Sequence, residues 1–403
     1  MKSFFFGRPA SASSKTMAAS RTPRVVNVLL LGFGNVGRAF ARMVLAKAAD
    51  LRATTAAGGG LEIRVVGIST SSHGCIYNRD GAAVDLAACL ALVEAAQQSS
   101  SSWRLPSSTS GSSESVDSTE TLLRAAKQSV QDGELHLDAV LECITPDYST
   151  GEPALSYLMR AITELDCHAV TASKGPVLCG FQSLTAAATE HGKRFLYESS
   201  VMDGVPVFSF ARAMMPGCAI ITGCDGILNS TTNIILTEME EKQCSFANAL
   251  ATAQRDGIAE RNPSGDIDGH DAAIKIALLA TVLLGAKNLT LAEVDISTAG
   301  IGAITLDDIN AAASRGARLK VICSCSVGDE EGGSRADGIA VSASVKLVEI
   351  PRTDALSTIA GASSVVRLTF ESLAPISIVS HDPLNVDTAF GLFNDLLTAV
   401  RRS

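Results

Sequence analysis

Between Gly257 and Lys275 the chain places Glu260, Asp266, Asp268 and Asp271 ahead of one lysine, then runs into Ile276-Ala-Leu-Leu-Ala-Thr-Val-Leu-Leu284. Charges this dense against an apolar run are costly unless they are paired. If a helix starts at Asp268 or Gly269, then Asp268, Asp271 and Lys275 fall at i, i+3 and i+7 on one face. Two readings fit. The face is a functional site carrying carboxylates and an ammonium together, or it is a helix amino end favouring acids with an ordinary Asp271–Lys275 i,i+4 pair. The run alone leaves both open.

The elements that would position these residues begin far upstream. Val25 to Leu31 reads as a buried strand, Gly32-Phe-Gly34-Asn35-Val36-Gly37 follows at once, a helical pattern runs from Arg38, and Glu62–Ile68 reads as a second strand. Strand, glycine turn, helix and strand form the βαβ dinucleotide unit. In it Gly32 permits the tight turn, Gly34 lets the backbone approach a pyrophosphate, and Gly37 lets the helix pack on the strand, its amino end facing the phosphate. An NAD site usually carries Asp or Glu at the end of the second strand. Here Ser69-Thr-Ser-Ser-His73 stands there, no arginine sits beside it in sequence, and Arg79 lies further on. That favours NADP over NAD.

Further strands are expected over Asp138–Ile144, ending in Thr145-Pro146, and over Cys167–Thr171, which leads to Ala172-Ser173-Lys174-Gly-Pro176. Loops at the carboxyl ends of such strands bind ligands in open α/β sheets, which makes Lys174 a site candidate. The serine-rich stretch 97–120, holding the only tryptophan, Trp103, reads as an exposed insertion. Past residue 195, Asn229-Ser-Thr-Thr-Asn233 looks like a helix N-cap cluster. Residues 246–256 and Asn385–Val400 read as helices, and no 20–50-residue repeat is present.

At 403 residues, with 46% hydrophobic and 19% charged residues, two domains with a substantial core are expected. No apolar run approaches the roughly 20 residues needed to span a bilayer, so no membrane partner is expected. The net charge of −9 argues against nucleic acid as a partner. The ten cysteines show no zinc spacing; free thiols in a reducing compartment are expected, with Cys143, Cys224 and Cys323 as small core residues. The first 24 residues carry Lys2, Arg8, Lys15, Arg21 and Arg24 among Ser and Ala, with no acid before Asp50. Such a leader resembles a plastid or other organelle transit peptide; a cytoplasmic chain, with translation starting at Met17, is the alternative.

Several motifs together carry a family resemblance: Gly32-Phe-Gly-Asn-Val-Gly37, Thr171-Ala-Ser-Lys-Gly-Pro176, Glu198-Ser-Ser-Val-Met-Asp-Gly-Val-Pro206, Gly226-Ile-Leu-Asn-Ser-Thr-Thr-Asn233 and Gly257 to Lys275. Across nearly all of 25–400 the chain resembles homoserine dehydrogenase, in the short form without a C-terminal regulatory domain. The resemblance implies an α/β fold, a Rossmann-type dinucleotide-binding domain (25–196, completed by 383–403) plus an α+β catalytic and dimerisation domain (197–382). It implies interconversion of L-homoserine and L-aspartate 4-semialdehyde with NADP or NAD, in threonine, methionine and isoleucine biosynthesis. The site lysines would be Lys174 and Lys275, and the substrate-binding residues Glu260, Asp266, Asp271 and Thr231. Cofactor contacts would fall at Gly32, Gly34, Asn35, Val36, Gly37, Thr145, Ser173 and Lys174. A monovalent cation such as Na+ would sit on main-chain oxygens around Glu198, Val201, Asp203 and Val205. A homodimer is implied, through residues 198–207 and the strands between Ile339 and Val379.

Elementary chemistry agrees with the resemblance. Oxidising an alcohol needs a base for the hydroxyl proton, and reducing a carbonyl needs an acid. A lysine serves both if burial and a second cation lower its pKa, and carboxylates suit a substrate ammonium. On this reading Lys275 exchanges the proton and Lys174 polarises the carbonyl or binds the carboxylate, or the two roles are exchanged. Three positions depart from the family pattern: Ile258 in place of a common tyrosine, Asp203 in the cation loop, and Ser380-His-Asp-Pro-Leu384 in place of a glycine-rich turn. Two other readings are a phosphorylating semialdehyde dehydrogenase, which needs a cysteine nucleophile, and a nucleotide-binding sensor without catalysis.

Overall fold

A computed structural model describes residues 22–53, 60–106, 117–145, 147–217, 219–286, 289–298, 300–328 and 340–401. Most of the leader read at 1–24, and Met17 with it, lies outside them.

The first half folds as β1 (Arg24–Leu31), α1 (Asn35–Ala53), β2 (Leu61–Ser69), β3 (Cys75–Tyr77), α2 (Leu86–Ser99), α3 (Thr119–Gln131), β4 (Ala139–Glu142), α4 (Ala154–Thr163), β5 (His168–Thr171), α5 (Lys174–Glu190) and β6 (Phe195–Leu196). Their sheet has the order β3-β2-β1-β4-β5-β6 and is parallel except for β3. Val28 to Leu31 are fully buried, as a central strand covered by helices on both faces requires. The second half adds α6 (Val207–Met214), β7 (Ile221–Ile227), α7 (Ser230–Lys242), α8 (Phe246–Arg255), α9 (Ser264–Ile267), α10 (His270–Leu279), β8 (Asp295–Thr298), α11 (Leu306–Ser314), β9 (Ala317–Val327), β10 (Val341–Pro351), β11 (Ser364–Phe370), β12 (Ile376–Ser380) and α12 (Asn385–Val400). Its sheet runs β12-β11-β7-β9-β10-β8, antiparallel apart from the β8–β10 pair. Two sheets of this kind, the first doubly wound, make the mixed α/β fold with a Rossmann-type unit that the sequence indicated.

The last helix returns to the first sheet. Ala389, Leu392, Phe393 and Leu396 share a core with Phe40 and Val44 of α1, and the Phe40 and Phe393 rings lie 6.1 Å apart. Arg24 donates to Val400 O at 2.6 Å, tying the start of β1 to the end of α12.

Three local expectations change. The 97–120 stretch is not exposed throughout. α2 continues to Ser99, α3 starts at Thr119 behind a Ser118 cap, and Leu105 is buried with Trp103 packed against the same core. Two apolar side chains suffice to pin that end of a serine-rich segment, while 107–116 lie outside the described residues. Of the two helix starts left open, Asp268 and Gly269, the cap of the helix bearing Lys275 is Gly269, at φ +88°, and Asp268 instead ends α9, exposed. The left-handed turn there is one that glycine adopts without a Cβ penalty. Cys143 differs from Cys224 and Cys323, which are buried: it lies at the cleft described next.

Candidate active site

β1 ends in the glycine turn. Gly32 has φ +108°, and a Cβ on Gly37 would stand 2.2 Å from Gly32 O, so the turn closes only on a glycine there. A Cβ on Gly34 would meet nothing within 4 Å; the backbone is open at the point where a pyrophosphate would approach the amino end of α1. The turn therefore fits a dinucleotide. Asn35 and Gly34 are exposed beside it, and Arg38 donates to Asn35 Oδ1 at 2.7 Å. That guanidinium at the amino end of α1 was not singled out from the sequence.

Next to the turn a cleft of about 270 Å³ is lined by Val36, Cys143, Ser173, Lys174, Asp203, Lys275 and Thr388, among others. Its floor is organised by Glu142, the last residue of β4, which is fully buried. Glu142 accepts from Ile144 N at 2.7 Å, from Ser173 Oγ at 2.8 Å and from Thr171 Oγ1. One carboxyl thus ties the loop after β4 to the loop after β5, and burial raises its pKa against those hydrogen bonds. The sequence shows Glu142 only as an acid at the end of an apolar strand. Its acidity in a fully buried run was the available signal.

Lys174 opens α5 from that β5 loop, and Lys275 stands one turn below Asp271 in α10. Lys275 Nζ lies 2.8 Å from Asp271 Oδ2 and donates to Leu228 O at 2.7 Å. Lys174 Nζ lies 3.7 Å from Asp271 Oδ1. The two ammonium groups therefore share one carboxylate. The pKa of Asp271 is held well below the usual range by Lys275, Lys174 and Asn229, which outweigh burial. The lysines part company. Burial and the Lys275 charge pull Lys174 down against Asp271, whereas for Lys275 the opposing burial is outweighed by Asp271, Asp203 and Asp266, and its pKa rises.

Asn229 completes this pocket. Its Oδ1 accepts from Thr232 N and caps α7, as the sequence indicated. Its Nδ2 also donates to Asp266 Oδ1 at 2.7 Å and Asp271 Oδ2 at 3.0 Å. An N-cap is legible locally; a bridge to carboxylates 37 and 42 residues away is not. Tyr148, in the loop after β4, was missed entirely. Lys174 Nζ stands 5.8 Å from its ring centroid, within cation–π range.

Of the other sequence candidates, Ser173 and Val36 line the cleft, while Thr145 is exposed beside Ile144, which lines it. Glu260 is exposed. Thr231 is buried in the first turn of α7, and its neighbour Ser230 faces the cleft instead. In the 198–205 loop, Glu198 is buried, its carboxylate accepting from Phe208 N and Ser209 N at the start of α6. Val205 O accepts from Val207 N, and Val201 is buried beside the left-handed pair Met202 and Asp203. The Asp203 carboxylate accepts from Thr388 Oγ1 at 2.8 Å, so α12 reaches the cleft. The 380–384 turn, led by left-handed Asp382, is seated on Ser363.

Cys143 is the cysteine at the cleft. The residue is half-buried, but its Sγ faces inward and donates to Gly32 O at 3.3 Å; desolvation there and the Glu142 charge push its pKa up, so it is a poor thiolate. That disfavours the cysteine-dependent alternative.

A glycine turn for a dinucleotide and a charged pocket open into one cleft. The class they define is an oxidoreductase acting on a CH–OH group. The homoserine dehydrogenase family model matches residues 206–397. An NAD(+)-dependent homoserine dehydrogenase from Pseudomonas canavaninivorans is 34% identical over 368 residues, 91% of this chain and 94% of that protein. A homoserine dehydrogenase from Methanocaldococcus jannaschii is 29% identical over 92% of this chain and 98% of its own length. Among solved structures, a homoserine dehydrogenase from Thiobacillus denitrificans superposes with a TM-score of 0.69 at 26% identity, covering 94% of this chain and 74% of that one. The chain belongs to the homoserine dehydrogenase family.

Proposed function

We propose that the chain interconverts L-homoserine and L-aspartate 4-semialdehyde with a nicotinamide dinucleotide, using Lys174 and Lys275 for the proton and the substrate oxygen. The observation that carries this is the shared carboxylate: Asp271 lies between both lysines, which line the cleft that also reaches Val36 of the glycine turn. When bound, the nicotinamide supplies or accepts the hydride. The lysines divide the remaining work. Lys174, with its lowered pKa, exchanges the proton: the substrate O–H bond breaks and the proton goes to the neutral Lys174 Nζ in oxidation, and returns from it in reduction. Lys275, kept charged by Asp271, stabilises negative charge developing on the substrate oxygen. Asp266 and Asp271, aligned by Asn229, would hold the substrate ammonium, with Glu260 at the rim.

NADP is our preferred cofactor, because Ser69 places no carboxylate at the end of β2 to repel a 2′-phosphate. The Pseudomonas relative is named as NAD(+)-dependent, which makes the preference worth measuring. We also propose a monovalent cation on the main-chain oxygens of the 198–205 loop. A homodimer through the second sheet, whose edge strand β12 exposes Val379, and import into an organelle directed by the Ser/Arg-rich leader complete the proposal. Light scattering and N-terminal sequencing of the native protein test these last two.

The deciding experiment is oxidation of NADPH and of NADH with aspartate semialdehyde, for the wild type, Lys174→Met and Lys275→Met. Turnover with either cofactor that collapses in both variants supports the reading. Cofactor binding without turnover in the wild type would favour the sensor.

A further inference from the structure

The end of β2 has a second feature that the chain order conceals. Residues 70–74 form a tight turn: Thr70 N and Thr70 Oγ1 both donate to Gly74 O, at 3.1 and 2.8 Å, and His73 N donates to Thr70 Oγ1. The segment after α2 folds onto this turn. Leu105 N donates to His73 O at 2.8 Å. The Trp103 and His73 rings stack at 3.9 Å and 12°, and Trp103 meets Phe33 of the glycine turn edge-on at 6.4 Å. Trp103 therefore bridges the glycine turn to the turn after β2. Between Trp103 and Leu105 stands Arg104, exposed and in no ion pair among the described residues. Its side chain lies against Gly74, at φ +79°: a Cβ there would be in ordinary contact, 3.6 Å from Arg104 Nε. Arg79, the arginine nearest the turn in sequence, is committed to Asp132 and Glu134.

We infer that Arg104, delivered by the Trp103–His73 stack, is the residue that reads the adenosine ribose, binding a 2′-phosphate with the exposed Ser71 and Ser72 of the same turn. The position is the one where a dinucleotide unit tells a ribose hydroxyl from a phosphate. The chemistry is that of a free guanidinium and hydroxyls meeting a phosphomonoester dianion. This rests on the NADP preference proposed above and assigns it to a residue.

Calorimetric titration of the full chain with 2′,5′-ADP and with ADP tests it without turnover. Quenching of Trp103, the sole tryptophan, provides a second readout at the same place. The wild type should bind 2′,5′-ADP about tenfold or more tightly than ADP. Arg104→Met should remove that preference while leaving the affinity for ADP within about twofold. If the wild type shows the preference and Arg104→Met keeps it, the NADP reading stands and the role of Arg104 is overturned. If the wild type binds both nucleotides equally, both are overturned, and homoserine oxidation with NAD remains untouched.

Discussion

Lys275 lies 2.8 Å from Asp271, one turn upstream on the same helix, and its ammonium also donates to Leu228 O. Against burial, the carboxylates of Asp271, Asp203 and Asp266 raise the Lys275 pKa, while burial and the Lys275 charge lower that of Lys174, 3.7 Å from the other oxygen of Asp271. The asymmetry gives the two lysines different expected behaviour.

Lys174→Met should lower turnover in both directions by roughly 10²–10⁴-fold. On the proposed mechanism oxidation uses neutral Lys174, so the rate of homoserine oxidation in the wild type should rise with pH through its lowered pKa; the rate of aldehyde reduction should fall over the same range. Because the Lys275 charge contributes to that lowering, residual oxidation in Lys275→Met should have its alkaline limb at higher pH. A limb that stays in place would contradict the coupling. Steady-state profiles in both directions supply the check.

Asp271→Asn removes the charge that supports both ammonium groups. Both lysine pKa values should fall, moving the oxidation limb to lower pH. KM for homoserine should rise as the ammonium pocket loses a carboxylate. A stability loss of roughly 1.5–3 kcal/mol is expected for a charged hydrogen-bonding partner, measurable by denaturant unfolding.

Glu142→Ala leaves Ile144 N without its acceptor and strips the Thr171 and Ser173 hydroxyls of their nearest one, Ser173 Oγ keeping only Ile144 O at 3.2 Å. The cost should be roughly 1–3 kcal/mol for each buried group left unpaired. Since the freed loops carry Ser173 and Lys174, turnover should drop as well. Glu142→Gln, which keeps an acceptor oxygen, should recover most of the stability. Thermal melts alongside kinetics distinguish the two variants.

Gly37→Ala sets a methyl 2.2 Å from Gly32 O. The turn has to open, and dinucleotide affinity by calorimetry should fall at least tenfold, while far-UV circular dichroism stays that of a folded chain. Unchanged affinity would argue against the turn as the pyrophosphate site.

Asp395 of α12 accepts from Glu198 N at 2.7 Å, and burial raises its pKa to about 7 despite that hydrogen bond. A folded-state value above the unfolded one means that the folded chain binds the extra proton between about pH 4 and 7. This group therefore lowers stability as pH rises through that window, by up to about 1.4 kcal/mol per pH unit. Asp395→Asn should flatten that part of the stability curve. Denaturant midpoints at several pH values in that window would show it.

The glycine turn, the buried strands and the i,i+4 spacing of Asp271 and Lys275 were legible in the chain itself. Each depends on neighbours within a few residues: φ at Gly32, apolar runs such as Val28–Leu31, one helical turn in α10. The boundaries of α12 were equally readable, because its apolar period is local. The helix cap at Gly269 rather than Asp268 was not, since either residue suits the position and only the left-handed turn from α9 chooses between them. Neither was the hub at Asn229, the buried clamp of Glu142, the approach of Tyr148 to Lys174 or the delivery of Arg104 to the turn after β2. These join residues tens of positions apart, and their partners are chosen by sheet order and by which loops leave the same strand ends. The kinds of side chain were set by the sequence alone; which lysine pKa falls and which rises was decided by the fold, because a pKa depends on burial and on the charges that tertiary packing brings near.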